Sequence, residues 1–346
     1  RWAPKPLRPL LARELHAWLP GWLAARARAK RRPRYTGTRH LLFCICDHYE
    51  PLHGGVSMEQ GLARVAAWRT RYPERVAPFR DESGRHPRHT FFFPGDQYDP
   101  RFLEPLAELV EQGFGEVEIH LHHEGDTRST LAAKLEAALR DLGRHGVIAS
   151  HRGKPAWSFI HGDWALANGR RDGGMCGVDD ELDLLWELGC YADFTFPSAP
   201  DEPQPSIVNR LYYPAGDVTR RRPYEQAHEL AVGAPARDLT MIVQGPLALV
   251  RRRGGTRPWQ VAIENGAIDH TRGATLPRLR TWVAQDIIVE GRPEWVFVKV
   301  YTHGAPEANA ERLLGAEYAA FHQQLLHTYG DGARWKAHYV SARELF

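Results

Sequence analysis

Histidine and aspartate side chains follow two short apolar runs of this chain, a pattern typical of sites that bind a metal ion or move protons. The run over 41–46 is followed by Asp47 and His48, and the run over 117–121 leads into His120, His122 and His123. Neutral imidazoles and carboxylates are ligands with which proteins hold zinc and other divalent cations. Active sites of parallel α/β folds form where the carboxyl ends of buried strands meet. The two runs therefore predict a metal site at such an edge.

The alternative is that these are buried histidines satisfied by backbone carbonyls. A buried imidazole without a partner costs free energy, so three histidines in four positions opposite an Asp-His pair favour a shared site. Strand alternation directs His120 and His122 to one face and leaves His123 in the loop, so we select the first two as ligands. Asp47 either binds the ion directly, or takes the proton of a water molecule while His48 replaces it as ligand.

Polar residues follow most of the other predicted strands as well, and we expect them to bind substrate. They are His161, Asp163 and Trp164 after the fourth strand, Asp193 on the fifth and His303 after the last. His303 is predicted to face the ligands across the mouth of the site and to act as general acid. Taken singly, Asp163 also fits a turn cap, and His161 also fits a bond to a backbone carbonyl.

Strands and helices alternate from residue 40 onward. We predict strands over 41–48, 89–94, 116–123, 156–161, 192–196, 238–243 and 295–301, and helices over 57–71, 102–111, 130–146, 180–187 and 308–328. Repeated βα units imply a parallel sheet covered by helices. Seven such units predict the α/β class and a distorted barrel of the (β/α)7 type.

Two stretches interrupt the alternation and are predicted to be insertions on the rim of the barrel. Residues 198–237 are rich in proline, arginine and glycine, and 248–272 carry the turn pairs Gly254-Gly255 and Asn265-Gly266, which favour β-hairpins. The catalytic domain is expected to span 39–346. Residues 1–38 form a separate basic arm.

The arm is strongly basic: from Arg1 to Arg39, both included, the chain carries eleven lysine or arginine residues and a single acid, Glu14. Apolar residues at helical spacing, from Leu7 to Leu19, precede a predicted break at Pro20-Gly21 and a run of basic residues. A basic amphipathic helix with tryptophans suits peripheral contact with an anionic membrane. The alternative is a helix that packs on the catalytic domain or on a second subunit.

Composition limits the remaining classes. The 346 residues carry a formal net charge of +3, with 43% hydrophobic and 25% charged residues, which indicates a globular protein with a full core. Its four cysteines do not form a disulfide framework. Neither a membrane-spanning run nor a signal-peptide core is found, so we expect a cytoplasmic protein, membrane-associated if the arm binds lipid. No nucleic-acid-binding motif is found, and nucleic acid is not expected as a partner.

The order of motifs resembles that of the NodB-type polysaccharide deacetylases, within the glycoside hydrolase and deacetylase barrels. The similar stretches are Thr90–Phe93, Leu103–Leu106 and Gly113–His120, with Cys46-Asp47-His48 where the family carries Thr-Phe-Asp-Asp and Val300–His303 where it carries a late strand ending in a catalytic histidine. The paired aspartates of the family are Asp47-His48 here, and its His-x-x-x-His is replaced by the segment from His120 to Glu124. The middle of the chain is similar to a bacterial branch found near polysaccharide gene clusters.

The resemblance implies a metal-dependent hydrolase that deacetylates an N- or O-acetylated saccharide. Its metal ligands would come from Asp47, His48, His120 and His122, with Asp47 and His303 catalytic and zinc as the ion. Such an ion lowers the pKa of bound water from about 16 toward about 7 and polarises the substrate carbonyl. Two alternatives remain open. One is a glycoside hydrolase that uses Asp163 and Asp193 as its carboxylate pair, and the other is a non-catalytic saccharide-binding protein.

Overall fold

The structure, a computed structural model, describes residues 13–252 and 260–346. Within these ranges the strands are β1 (Arg39–His48), β2 (His89–Pro94), β3 (Gly115–Leu121), β4 (Ala149–His151), β5 (Lys154–His161), β6 (Cys190–Asp193), β7 (Leu211–Pro214), β8 (Ala227–Glu229), β9 (Met241–Val243), β10 (Ala248–Arg252), β11 (Gln260–Glu264), β12 (Ala267–Ile268), β13 (Trp295–Thr302) and β14 (Trp335–Tyr339). The predicted hairpin turn at Gly254-Gly255 lies outside the described residues, and β10 and β11 on either side of it form the expected antiparallel pair.

The helices of the described ranges are α1 (Leu15–Arg31), α2 (Met58–Val76), α3 (Pro100–Glu111), α4 (Arg128–Gly143), α5 (Glu181–Glu187), α6 (Leu276–Val283), α7 (Glu307–Leu314), α8 (Ala316–Tyr329) and α9 (Ala342–Leu345). Side-chain caps set several of their starts, because the first amides of a helix lack partners inside it. Ser57 accepts the amide of Gln60 at the start of α2, and Asp99 accepts the amide of Arg101 at the start of α3. No helix in these ranges has the length and apolarity needed to cross a membrane.

Twelve strands form one curled mixed sheet, and ten of them follow the order β12-β13-β1-β2-β3-β5-β6-β9-β7-β8. Off this path, β14 pairs with β1 and β4 pairs with β5. Neighbours from β12 to β9 are parallel, whereas β7 pairs antiparallel with both β9 and β8. The predicted α/β class is confirmed, and the (β/α)7 barrel is not, because the sheet is a half barrel. Beyond β8, an isolated parallel bridge joins Ala231 to Glu290, a residue of the segment that precedes β13. The predicted insertion 198–237 contains β7 and β8, which are strands of this sheet.

The two faces of the sheet have different surroundings. Leu41, Phe43 and Ile45 of β1 belong to the large core that includes helix residues, and we call this side the helix face. Leu42, Cys44 and Cys46 of β1 pack with residues of other strands and of α9 in a second core, on the inner face. Because side chains alternate along a strand, odd and even residues at its end also lie on different faces.

Helix α1 packs on the body of the protein. Trp18 is fully buried, beside Leu15 and residues of the segments near Val208 and Leu247. The predicted break at Pro20-Gly21 is wrong, since the helix runs through both residues. Gly21 is needed for close approach, because a Cβ there would lie 1.7 Å from the carbonyl oxygen of Ser206. The part of the predicted arm before residue 13 lies outside the described residues.

Candidate metal centre

The carboxyl ends of β1, β3 and β13 meet at one edge of the sheet. Strand β1 lies between β13 and β2, with Asp47 in register with Thr302 on one side and Phe91 on the other. Strand β3 is the next neighbour of β2. His48, the last residue of β1, therefore comes near the residues that follow β3 and β13. The ring centroid of His48 lies 4.9 Å from that of His120 and 4.6 Å from that of His303.

A carboxylate that sequence analysis did not select, Glu50, lies among these histidines. Its Oε1 is 3.2 Å from His120 Nε2 and 3.6 Å from His122 Nε2. Its Oε2 is 2.6 Å from His53 Nδ1, and its side chain is 5% exposed. Glu50 stands two residues after His48 in the segment that leaves β1. That position beside the predicted ligands was the signal that could have identified it.

Glu50 belongs to two groups of ligand atoms that could hold a metal ion. One consists of Glu50, His120 and His122, and the other of His48, Glu50 and His303; within each group all ligand atoms lie within 4.8 Å of one another. Two histidines with one glutamate are a known ligand set of catalytic zinc, which leaves a coordination position open for water or substrate. Side-chain exposure of 33% at His122 gives the group access to solvent.

The hydrogen bond of His120 prepares this side chain as a ligand. Its Nδ1 lies 2.9 Å from the carbonyl oxygen of Ile160, so Nδ1 carries the hydrogen and donates it. The lone pair of the neutral ring is then on Nε2, the atom nearest Glu50. A backbone carbonyl that fixes the tautomer of a histidine in this way is the usual support of a metal ligand.

Burial sets the protonation of the centre. It lowers the pKa of His48 well below its ordinary value, with further lowering by His303 and His120, and it lowers the pKa of His303. Both rings are therefore neutral at pH 7, as ligands and proton acceptors must be. Burial alone would raise the pKa of Glu50, but the neighbouring imidazoles of His120 and His53 hold it far below its usual range. The centre therefore combines the carboxylate anion of Glu50 with neutral imidazoles at His48 and His303.

Asp47 is not brought into either group of ligand atoms. Its Oδ2 lies 2.8 Å from Nε2 of His89, and its Oδ1 accepts the amide of Gly304 at 2.6 Å. Asp47 is an odd residue of β1 and therefore points to the helix face, opposite to His48. Its predicted place among the metal ligands does not agree with this geometry.

The predicted substrate residues divide between the centre and other parts of the fold. The ring of Trp164 lies 5.9 Å from that of His48 and 6.0 Å from that of His303, and its buried indole nitrogen has no hydrogen-bond partner among the described residues. Asp163 is exposed, and its charge raises the pKa of His122 against the larger lowering by burial. These two residues adjoin the centre.

Asp193 and His161 have their contacts away from the metal centre. Asp193 is fully buried and accepts both the amide and the hydroxyl of Thr195. His161 is an odd residue of β5, whose odd residues Trp157 and Phe159 belong to the helix-face core. There it lies with His123, at a ring-centroid distance of 4.5 Å. His161 therefore lies on the helix face, apart from the centre, and its Nδ1 contacts the carbonyl oxygen of Gly162, the alternative that the sequence left open.

No protein-family model matches the chain, and no curated protein matches it either. The resemblance to the NodB-type deacetylases therefore stays a prediction from the motifs. What the structure establishes is a mixed α/β fold with buried groups of histidine, glutamate and cysteine that could hold a metal ion.

Proposed function

We propose that the protein is a metal-dependent hydrolase that removes acetyl groups from an N- or O-acetylated saccharide in polysaccharide metabolism. One observation carries the proposal: Glu50, His120 and His122 form a solvent-accessible ligand group, and His48 and His303 form a second group with the same carboxylate. This arrangement has the parts that hydrolysis needs, namely an ion site with an open position and a neutral imidazole beside it.

Zinc fits the donor set best. Imidazole nitrogens and one carboxylate suit zinc, and the carbonyl of Ile160 and the imidazole of His53 hold two of the ligands in place. When bound in such an open site, a zinc ion acidifies water and polarises a carbonyl oxygen. Side chains of the protein would transfer the proton and position the substrate.

His303 is proposed to move the proton. Because burial keeps its imidazole neutral at pH 7, the ring first accepts a proton from the attacking water and then donates it to the leaving amine or alcohol. Glu50 and Asp47 carry negative charges near His303, and both raise its pKa against the effect of burial. These charges stabilise the imidazolium that forms during the reaction.

Asp47 is proposed to act as a positioning residue for His303. Its carboxylate accepts the amide of Gly304, and the carbonyl of Gly304 accepts the indole N–H of Trp68 at 3.0 Å. A Cβ on residue 304 would lie 2.2 Å from Asp47 Oδ2, so only glycine allows this close approach. The turn after β13 is thereby fixed, and with it the place of the His303 side chain.

Trp164 is proposed to bind the sugar ring. Its half-buried indole ring adjoins both histidines, which suits stacking against a sugar ring beside the centre. Tyr301 lies nearby, with a ring-centroid distance of 6.4 Å to Trp164. An aromatic wall with polar groups at its edge is a common way to hold a saccharide.

Acetate release by the full-length chain tests the proposal. The metal-free protein reloaded with zinc should release acetate from a panel of N- and O-acetylated oligosaccharides, and the metal-free protein should not. The variant His303→Ala should keep its metal and lose activity by a factor on the order of 10²–10⁴. His151→Ala, in the exposed strand β4, is the matched control and should leave the rate unchanged. Equal release with and without metal would refute the proposal.

The glycoside hydrolase alternative needs two carboxylates that flank the scissile bond. The structure gives this alternative no support, because Asp193 is buried and bonded to Thr195 while Asp163 is exposed. Release of reducing ends without metal in the same assay would nevertheless favour it. A saccharide-binding protein without activity would give neither product.

A further inference from the structure

A second group of metal-ligand side chains lies on the helix face of the sheet, and the proposed function makes no use of it. It consists of His123, His161, Cys176 and Glu181, whose ligand atoms all lie within 4.8 Å of one another. Three of the four residues are fully buried, and His123 is 6% exposed. They come from three separate parts of the chain: the end of β3, the end of β5 and the segment that enters α5.

The distances from the Glu181 carboxylate to the other three side chains are close to those between ligands around one tetrahedral ion. Glu181 Oε1 lies 3.2 Å from His123 Nε2 and 3.7 Å from His161 Nε2, and Glu181 Oε2 lies 3.6 Å from Cys176 Sγ. Zinc–ligand bonds of about 2.0–2.3 Å at tetrahedral angles place neighbouring ligand atoms roughly 3.3–3.8 Å apart. The three separations therefore leave room for an ion at the centre.

His161 has a ring nitrogen that the protein alone leaves without a partner. Its Nδ1 contacts the carbonyl oxygen of Gly162, to which it donates, so the lone pair of the neutral ring is on Nε2. Nε2 is buried, makes no hydrogen bond within the described residues, and faces the carboxylate of Glu181. A lone pair that faces a carboxylate in the interior is unfavourable. A cation between the two would satisfy both.

Backbone amides are directed at the ligand atoms of Cys176 and Glu181. The amides of Asn168 and Val178 lie 3.3 and 3.4 Å from Cys176 Sγ, and the amide of Ala167 donates to Glu181 Oε2 at 2.6 Å. Amide donors directed at a thiolate and at a ligand carboxylate are typical outer contacts of metal sites. Burial and the charge of Glu181 raise the pKa of the Cys176 thiol, whose Sγ donates toward Glu181 Oε2 at 3.6 Å. A divalent cation would replace that proton and neutralise both groups.

We propose that His123, His161, Cys176 and Glu181 bind a zinc ion in a closed, four-coordinate structural site, separate from the hydrolytic centre. A thiolate with two imidazoles favours zinc and excludes magnesium and calcium, which prefer oxygen ligands. All four positions are filled by protein side chains and buried, which is the arrangement of a structural site. The proposal does not depend on the proposed deacetylase activity.

The role of this ion is to hold the segment between β5 and α5. Asp163, Trp164, Ala167, Asn168 and Met175 of this segment all have positive φ angles, between 48° and 60°. Residues other than glycine adopt such angles only when their surroundings hold them there. A zinc ion that joins this segment to the ends of β3 and β5 would hold it, and would thereby keep the Trp164 side chain beside His48 and His303.

Cobalt spectroscopy on the full-length chain tests the site without reference to any substrate. Cobalt bound to a cysteine thiolate gives a near-ultraviolet charge-transfer absorption, and only Cys176 of the four cysteines belongs to a ligand group. We expect the band in the cobalt-loaded wild type, its loss in Cys176→Ala, and its retention in Cys190→Ala, the control at another buried cysteine. Metal content should fall by about one ion per chain in Cys176→Ala and not in the control.

Two further measurements separate this site from the hydrolytic centre and from a folding defect. His122→Ala should lose the ion of the open centre and keep the thiolate band. If Cys176→Ala does not fold, zinc X-ray absorption of the wild type decides the matter, with a sulfur neighbour expected at about 2.3 Å. A wild type with neither a thiolate band nor a sulfur neighbour would overturn the proposal, and so would a folded Cys176→Ala that keeps its full metal content.

Discussion

Adjacent residues of this chain have different roles because they lie on different faces of a strand. His48 contributes to the centre on the inner face, whereas Asp47 bonds to His89 and Gly304 on the helix face. A step of one residue along a strand reverses the direction of a side chain. Just beyond the end of β3, His122 adjoins Glu50, and the next residue, His123, adjoins Glu181. One His-His pair thus reaches two of the groups that could hold a metal ion.

Substitutions of Glu50 and Asp47 should have different effects on bound metal and on activity. Glu50→Gln should lower bound metal at the open centre well below one ion per chain, because it removes the carboxylate shared by both groups. Asp47→Asn should keep that metal and lower kcat by about 10–100-fold, because it weakens the hold on the turn that carries His303. Elemental analysis together with acetate release measures both effects. Loss of metal in Asp47→Asn would instead support its role as a ligand.

Asp193 should make stability depend on pH. Burial raises its pKa to about 7, against about 3.9 in an unfolded chain, so the folded state binds this proton more tightly. The free energy of unfolding therefore falls as pH rises from about 4 through about 7, by about 4 kcal/mol in full. Asp193→Asn, which imitates the protonated side chain, should remove this dependence. Urea unfolding at pH 5 and pH 8 should show the wild type losing about 2–3 kcal/mol more than the variant. Parallel losses would show that Asp193 is not protonated in the folded protein.

Elements with strong local patterns could be predicted, and those defined by distant contacts could not. The strand expected over 41–48 is Arg39–His48, and that expected over 156–161 is Lys154–His161. The helix expected over 308–328 is two helices, because Gly315 takes an extended conformation between them. Strand β14 was missed, since its place beside β1 depends on residues about 300 positions away in sequence.

Helix α1 combines a buried face with a basic one. Trp18 holds it to the body, while Arg26, Lys30 and Arg34 line a cavity of about 640 Å³ whose walls carry six basic side chains and one acid, Asp286. Leu23 of the same helix is 54% exposed. The packing of α1 on the body is therefore clear. Contact with a membrane stays a prediction from the basic and apolar residues that face solvent.

Charge reversal tests that membrane contact. The double variant Arg26→Glu/Lys30→Glu should bind vesicles with anionic lipid at least tenfold more weakly than the wild type at low salt, since each basic residue near such a surface adds about 1 kcal/mol. Raising the salt concentration should reduce the difference. Arg140→Glu, a charge reversal at an exposed position of α4, is the control. A wild type that does not bind these vesicles at low salt would rule out the contact.

For the whole molecule, the sequence predicted which histidines come together at one edge of the sheet, but not the other side chains that could bind a metal ion with them. His48, His120, His122 and His303 meet there as predicted from the ends of three strands. Glu50, Cys176 and Glu181 were missed because they lie in irregular segments or at their borders, whose course depends on tertiary contacts rather than on a local period. The sequence predicted a (β/α)7 barrel and the sheet is a half barrel for a related reason, since pairing between distant strands decides whether a sheet closes.

Anomalous diffraction at the zinc edge, from crystals of the full-length chain, tests the central claim most directly. We predict a peak about 2.0–2.2 Å from Glu50, His120 and His122, and its loss in Glu50→Gln crystals. The second peak expected among His123, His161, Cys176 and Glu181 should persist in that variant and serve as an internal control. A zinc-soaked wild-type crystal with no peak beside Glu50, while the side chains keep the arrangement described above, would contradict the account of a hydrolytic metal centre.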